Sequence, residues 1–167
     1  MHRTENLLVR AILLFVLPAA CASHHAGSPV RDVAKCTEYP LVQVGQGGGV
    51  IFPAGTGNVD GYRAGAITEF WTPTADDVQR AEPRITEYLQ ANAPALVPKF
   101  SSYVRQYTGF RLGGRTLIFV QFFCVAPTNV DWRCAPVVVD DGGECYFRLV
   151  YDVGGDSCGN LYVNGDA

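Results

Sequence analysis

The segment Arg115–Val125, RTLIFVQFFCV, constrains this chain most, because only Arg115, Thr116 and Gln121 within it are clearly polar. Alternation sets Leu117, Phe119 and Phe123 on one side and Ile118, Val120, Phe122 and Cys124 on the other. A strand that is apolar on both faces has to be covered on both, which places it at the centre of a sheet. Ser101–Leu112 reads as its neighbour, with Tyr103, Arg105 and Tyr107 on one face and Val104, Gln106, Thr108 and Phe110 on the other. Gly113–Gly114 between the two runs is a two-residue hairpin turn.

Upstream, Thr74 can accept a bond from a first-turn amide, and Asp76 and Asp77 put negative charge at the positive end of a helix. Val78, Ala81, Ile85, Tyr88 and Leu89 follow in steps of three and four along one stripe. The pattern predicts a helix over 75–91, kinked or split into two segments near Glu82 because Pro83 removes a backbone donor, and stopped by Asn92 and Pro94. Ala95–Phe100 reads as a short helical turn. Downstream, Pro136–Val139, Glu144–Asp152 and Asn160–Asn164 read as strands. Turns at Asp140-Asp141-Gly142-Gly143 and Val153-Gly154-Gly155-Asp156 separate them. Near the start, Leu41–Val44 reads as a short strand or extended piece. Gly45–Gly49 reads as a flexible loop, since Val50-Ile51-Phe52-Pro53 follows it where a phosphate cradle needs a helix. Residues 54–66 form a long irregular segment over the sheet edge, or a lid. The expected class is α+β, one kinked helix packed on a four- to five-stranded antiparallel sheet.

The N-terminus carries Arg3 and Arg10, an apolar run Ala11–Leu17 and a small-residue exit Pro18-Ala19-Ala20-Cys21-Ala22. That is the pattern of a secretory signal peptide over 1–22. A polar arm over 23–40 and a single domain over 41–167 follow. Two exits compete: cleavage after Ala22, giving a soluble protein that begins at Ser23, or a lipobox ending at Cys21, which would become a lipidated first residue. Both place the mature chain in the periplasm or outside the cell. No stretch approaches the roughly 20 apolar residues of a transmembrane helix.

An exported chain meets an oxidising compartment, so its cysteines read first as disulfide partners. Of the six, at 21, 36, 124, 134, 145 and 158, Cys124 and Cys134 flank a loop and form the favoured pair. Cys145 with Cys158, or either with Cys36, are the other options, and one thiol stays unpaired once Cys21 is removed or lipidated.

The three histidines are His2, His24 and His25, which leaves none from Val30 to Ala167. Ser-His-Asp and Cys-His catalysis and His-ligated metals are thereby closed to the domain. The formal charge of −3 and the scarcity of lysine beyond Lys35 and Lys99 argue against nucleic acid. Asp140, Asp141 and Glu144 are the carboxylates a hydrolase could use in pairs about 5–10 Å apart, or a calcium ion could share, though Asp-Asp-Gly-Gly is first of all turn chemistry. For binding, Tyr103, Arg105, Tyr107, Trp132 and Arg148 are the candidate ligand residues, aromatics and cations that could line a cleft between sheet and helix.

The strings FWTPTADD, YVRQYTGF, GGRTLIFVQFFC, VVVDDGGECYFRLVYD and LYVNGDA resemble a family of small exported bacterial proteins without an assigned function, from about Gly47 to the C-terminus. The helix-then-sheet order is also similar to cystatin-like and NTF2-like architectures, an analogy of fold alone. Neither resemblance brings a catalytic residue, and no cofactor is implied. The expected function is that of an exported non-enzymatic binding or envelope-associated protein with a protein or small-molecule ligand. The alternative is a carboxylate-dependent hydrolase at the Asp140–Glu144 turn.

Overall fold

A computed structural model describes residues 39–124, 126 and 130–165. The stretch expected to be a leader, most of the expected arm, and with them Cys21, Cys36, His24 and His25 lie outside these residues. The chain runs β1 (Leu41–Val42), β2 (Gly49–Ile51), β3 (Ile67–Trp71), α1 (Ala75–Asn92), β4 (Val104–Leu112), β5 (Arg115–Phe123), β6 (Tyr146–Asp152) and β7 (Ser157–Val163). The class is α+β, as expected, but the sheet has seven strands.

β5 lies between β4 and β6, antiparallel to both. The β4–β5 hairpin closes at Gly113 and Gly114, whose φ values of 56° and 77° are the left-handed geometry that a two-residue turn requires. One face of β5 meets α1: Ile118, Val120 and Phe122 share the main core with Val78, Ala81, Ile85 and Leu89 of the helix and with Phe147, Leu149 and Tyr151 of β6. The opposite face carries two smaller clusters, Leu117 and Phe119 with Val59, Phe110 and Val150, and Phe123 with Val104 and Val137. Irregular segments, not a second helix, cover that side.

The helix begins as its sequence dictates. Thr74 caps it: its hydroxyl accepts from the Asp77 amide at 3.2 Å, while the Asp77 carboxylate accepts from the Thr74 amide at 2.9 Å. α1 continues without a break through Pro83, so the helix is not split into two segments near Glu82. Pro83 and Gln79 both lie on the solvent side, so water can take over the carbonyl that the missing proline N–H leaves without a partner. Pro94–Ser102 then forms a long 3₁₀ segment.

Three strand expectations need correction. Gly49–Ile51, expected to be loop and its sequel, is a fully buried strand parallel to β4, with Val50 opposite Gln106. Ile67–Trp71, for which no strand was expected and whose Phe70 and Trp71 stood with the helix start, pairs antiparallel with the far half of β4. Its Trp71 packs on Gly109, where an added Cβ would lie 2.8 Å from the indole. Pro136–Val139, expected to be a strand, forms no ladder, because side-chain amides satisfy its backbone instead. Gln106 donates to the carbonyls of Trp132 and Ala135 at 2.6 and 2.9 Å and accepts from the Val137 amide at 2.9 Å, and Gln121 donates to the Val137 carbonyl.

The favoured Cys124–Cys134 pair is also corrected. Cys124 is bonded to Cys145, with Cα atoms 4.9 Å apart. The β5–β6 register sets Phe123 against Tyr146, and one step further the Cys124 amide donates to the Cys145 carbonyl at 3.0 Å. The ladder delivers these two sulfurs to each other, whereas Cys134 lies out on the irregular segment and is disulfide-bonded elsewhere. Cys158 of β7 is the free thiol among the described residues.

Candidate functional site

The five residues expected to form a ligand site do not come together. Tyr103, Arg105 and Tyr107 share one face, as alternation requires, but that face is packed solid beneath α1, with each residue 1% exposed or less. Arg105 is spent on structure. Its guanidinium donates to Glu82 at 3.1 Å and to the carbonyls of Tyr103, Phe100 and Val44 at 2.5, 3.1 and 3.4 Å. It also stands over the Phe100 ring, 4.5 Å from the centroid. Tyr107 donates to the same Glu82 oxygen at 2.7 Å. Burial foremost, and then the Glu82 charge, push the Tyr107 phenol well above its ordinary value, so it remains a donor.

Trp132 and Arg148 are on the opposite face. Trp132 packs edge-on against Phe123 and carries the Arg133 guanidinium 4.9 Å above its ring. The pair walls a cleft of about 340 Å³ with Leu41, Gln43 and the Gly47–Gly49 backbone. Arg148 pairs with Asp60 at 3.0 Å and stands over Tyr162. Asp140, Asp141 and Glu144 are exposed about the turn at Gly142 and Gly143, and none of them lines a described pocket. Among the described residues no group of three His, Cys, Asp and Glu side chains is placed to hold a metal ion.

The larger concavity was not anticipated. A groove of about 630 Å³ runs between the outer side of α1 and the β6–β7 turn, lined by Gln79, Arg80, Pro83, Arg84, Tyr151, Val153 and Asp156. Its volume falls in the range of small-ligand sites, about 300–1,000 Å³. The helix supplies one wall because residues 80, 83 and 84 are one turn apart on the same side. The turn supplies the other, and Asp156 holds a positive φ of 45° there, a conformation that Asp tolerates better than most residues. Arg84 bridges the walls, with Nε 2.9 Å and Nη2 2.8 Å from Asp156 Oδ2, while Nη1 reaches Glu87 at 3.0 Å. Tyr151 donates to Asp156 Oδ1 at 2.8 Å.

These contacts set the charges. The Arg84 and Tyr151 bonds hold the Asp156 carboxyl below its usual range. Burial and the bond to Asp156 push the Tyr151 phenol up to about 12. The sequence signal for this site was available in Arg80-x-x-Pro83-Arg84 on the polar side of the helix, opposite the apolar stripe that drew attention, and in the acidic residue closing the Gly154-Gly155 turn. What it lacked was the packing that brings the two together.

No family model, curated protein or solved structure matches the chain.

Proposed function

We propose that this chain is an exported, non-enzymatic binding protein whose ligand occupies the groove between α1 and the β6–β7 turn. The observation that carries the reading is the groove itself: ligand-sized, walled by two firmly anchored elements, and tied across its width by the Arg84–Asp156 pair. Gln79, Arg80, Arg84, Tyr151 and Asp156 bring polar groups to it, and Pro83, Val153 and the Tyr151 ring bring apolar surface, the mixture that orients and holds a small molecule. The groove's one hydroxyl–carboxylate pair, Tyr151 on Asp156, sets a phenol pushed up to about 12 against a carboxylate held down by Arg84, which makes a poor nucleophile with a weak base. Export is supported by the leader pattern of the first 22 residues and by the Cys124–Cys145 disulfide, a bond that persists in oxidising compartments. No helix among the described residues is long and apolar enough to cross a membrane.

Two measurements test this. The mass of the mature N-terminus should show either a chain starting at Ser23 or a diacylglyceryl-modified Cys21, and a chain retaining Met1 would remove export. Amide NMR spectra of the oxidised protein, titrated with small-molecule and lipid extracts of the envelope, should shift at Gln79–Arg84 and Tyr151–Asp156. Spectra unchanged at those positions would remove the groove as the binding site.

A further inference from the structure

The groove is asymmetric in what it leaves unsatisfied. Arg80 uses one of its five N–H donors, Nη2 to Asp77 Oδ1 at 2.5 Å, and its side chain is 61% exposed. Arg84 hydrogen-bonds through Nε and Nη1, and with Nη2 drawn to within 2.8 Å of Asp156 it still keeps at least two N–H donors in reserve. The Gln79 amide makes no hydrogen bond among the described residues. Against this surplus stands one lining carboxylate, Asp156, and it already accepts hydrogen bonds from Arg84 Nε and Tyr151, with Arg84 Nη2 a further ion-pair contact at 2.8 Å. Asp77 and Glu87, the partners outside the lining, are likewise engaged: the Asp77 carboxylate accepts from Thr74 and Arg80, and that of Glu87 from Arg84. Between the polar groups lie Pro83, Val153 and the Tyr151 ring. Unfilled donors with little free acceptor capacity suit an acceptor-rich anion, and guanidinium groups bind planar or tetrahedral oxyanions through paired hydrogen bonds.

We propose that the groove takes a ligand with an oxyanion head, carboxylate or phosphate, on an apolar body. The head is bound by Arg80, aided by the free Arg84 donors, and the body lies on Pro83, Val153 and Tyr151. This rests on the binding reading above and names its ligand class. Octyl phosphate and octanoate are the probes, titrated into the oxidised protein and followed by the same amide resonances, with octylammonium and octyl glucoside as cationic and neutral counterparts. Both anions, or one of them, should shift the groove amides, and the preferred one identifies the head. Arg80→Gln should weaken that binding about tenfold or more, the loss expected for a charge-assisted pair. Arg111→Gln, an exposed arginine paired with Glu69 on the far side of β4, should leave it unchanged. Equal binding of the octylammonium or glucoside probe, or an Arg80→Gln protein that binds the anions as tightly as the parent, would overturn the proposal. If envelope extracts shift the groove and neither anion does, the ligand class is wrong while the groove remains the site.

Discussion

Gln106 and Gln121 face each other directly across the β4–β5 ladder, and both side chains hydrogen-bond the same length of irregular backbone, Trp132 to Val137. They perform for that segment what a neighbouring strand would otherwise do. Gln106, only 3% exposed, makes three of the bonds. Its replacement by Leu orphans two carbonyls and an amide over the Phe123 and Val137 cluster, at about 1–3 kcal/mol for a fully buried group and less where water enters. Gln106→Leu should therefore cost about 2–4 kcal/mol in urea unfolding, and Gln121→Leu, which loses one bond, clearly less. Additive effects in the double variant would show that the two amides do not act together.

Arg105 and Glu82 form a charge pair inside the main core, the arginine 1% exposed. Removing one partner strands the other, at about 3–5 kcal/mol for a buried pair. Arg105→Ala should fall in that range. The double change Arg105→Met with Glu82→Gln should recover much of the loss, since the stranded charge is then gone. A double variant as unstable as the single one would mean that the four guanidinium bonds matter through geometry, not charge.

Acid should loosen the helix start. Burial pushes the Asp77 carboxyl up, but the bonds from Thr74 and from Arg80 outweigh it and hold it below its ordinary 3.8. The unfolded chain then binds that proton more tightly than the folded one. The contribution is complete well above pH 3.8 and is lost as pH falls through the lower folded value. Thr74→Ala should cost about 1 kcal/mol at neutral pH, as N-cap removal does, and flatten the acid limb of the stability curve. An acid limb identical to the parent's would show that Asp77 does not draw its shift from the cap.

Cys158 should behave as a sluggish thiol. Burial foremost, and the nearby Asp156 charge, push it up to about 12. Since thiolate is the reactive form, alkylation of the native protein should accelerate with every unit of pH up to at least pH 10. A plateau near pH 8–9 would indicate an ordinary, solvated sulfur. Reduction should matter more. Opening the Cys124–Cys145 bond, which closes a 21-residue separation, should cost about 2–4 kcal/mol on a chain-entropy estimate, measurable as a lower urea midpoint for Cys124→Ser with Cys145→Ser.

What could be read directly from the residues was local. The double-faced β5, the Gly113–Gly114 reversal, β6 and the Thr74 cap all announce themselves within a dozen positions, because alternation, turn chemistry and capping are short-range rules. Gly49–Ile51 did not, since its partner in β4 lies more than fifty positions downstream and three residues hold too little pattern to show a face. Pro136–Val139 looked like a strand because its residues suit one, yet strand composition does not reveal who supplies the hydrogen bonds. The disulfide failed for the same reason: proximity along the chain favoured Cys134, while proximity across the ladder decides for Cys145. The groove was missed because its two walls carry ordinary surface residues whose meaning arises only when α1 and the β6–β7 turn lie side by side.

β4 borders two different strands along its outer side, β2 over Arg105–Tyr107 and β3 over Gly109–Leu112. Two short pieces thus tile one long margin, and neither nine-residue strand of the sheet offers bare backbone to another molecule. The protection is modular. Undocking β3 alone would bare about half of that margin while the rest of the core stayed intact, so lesions around Trp71 and Gly109 should drive the protein toward self-association before they unfold it.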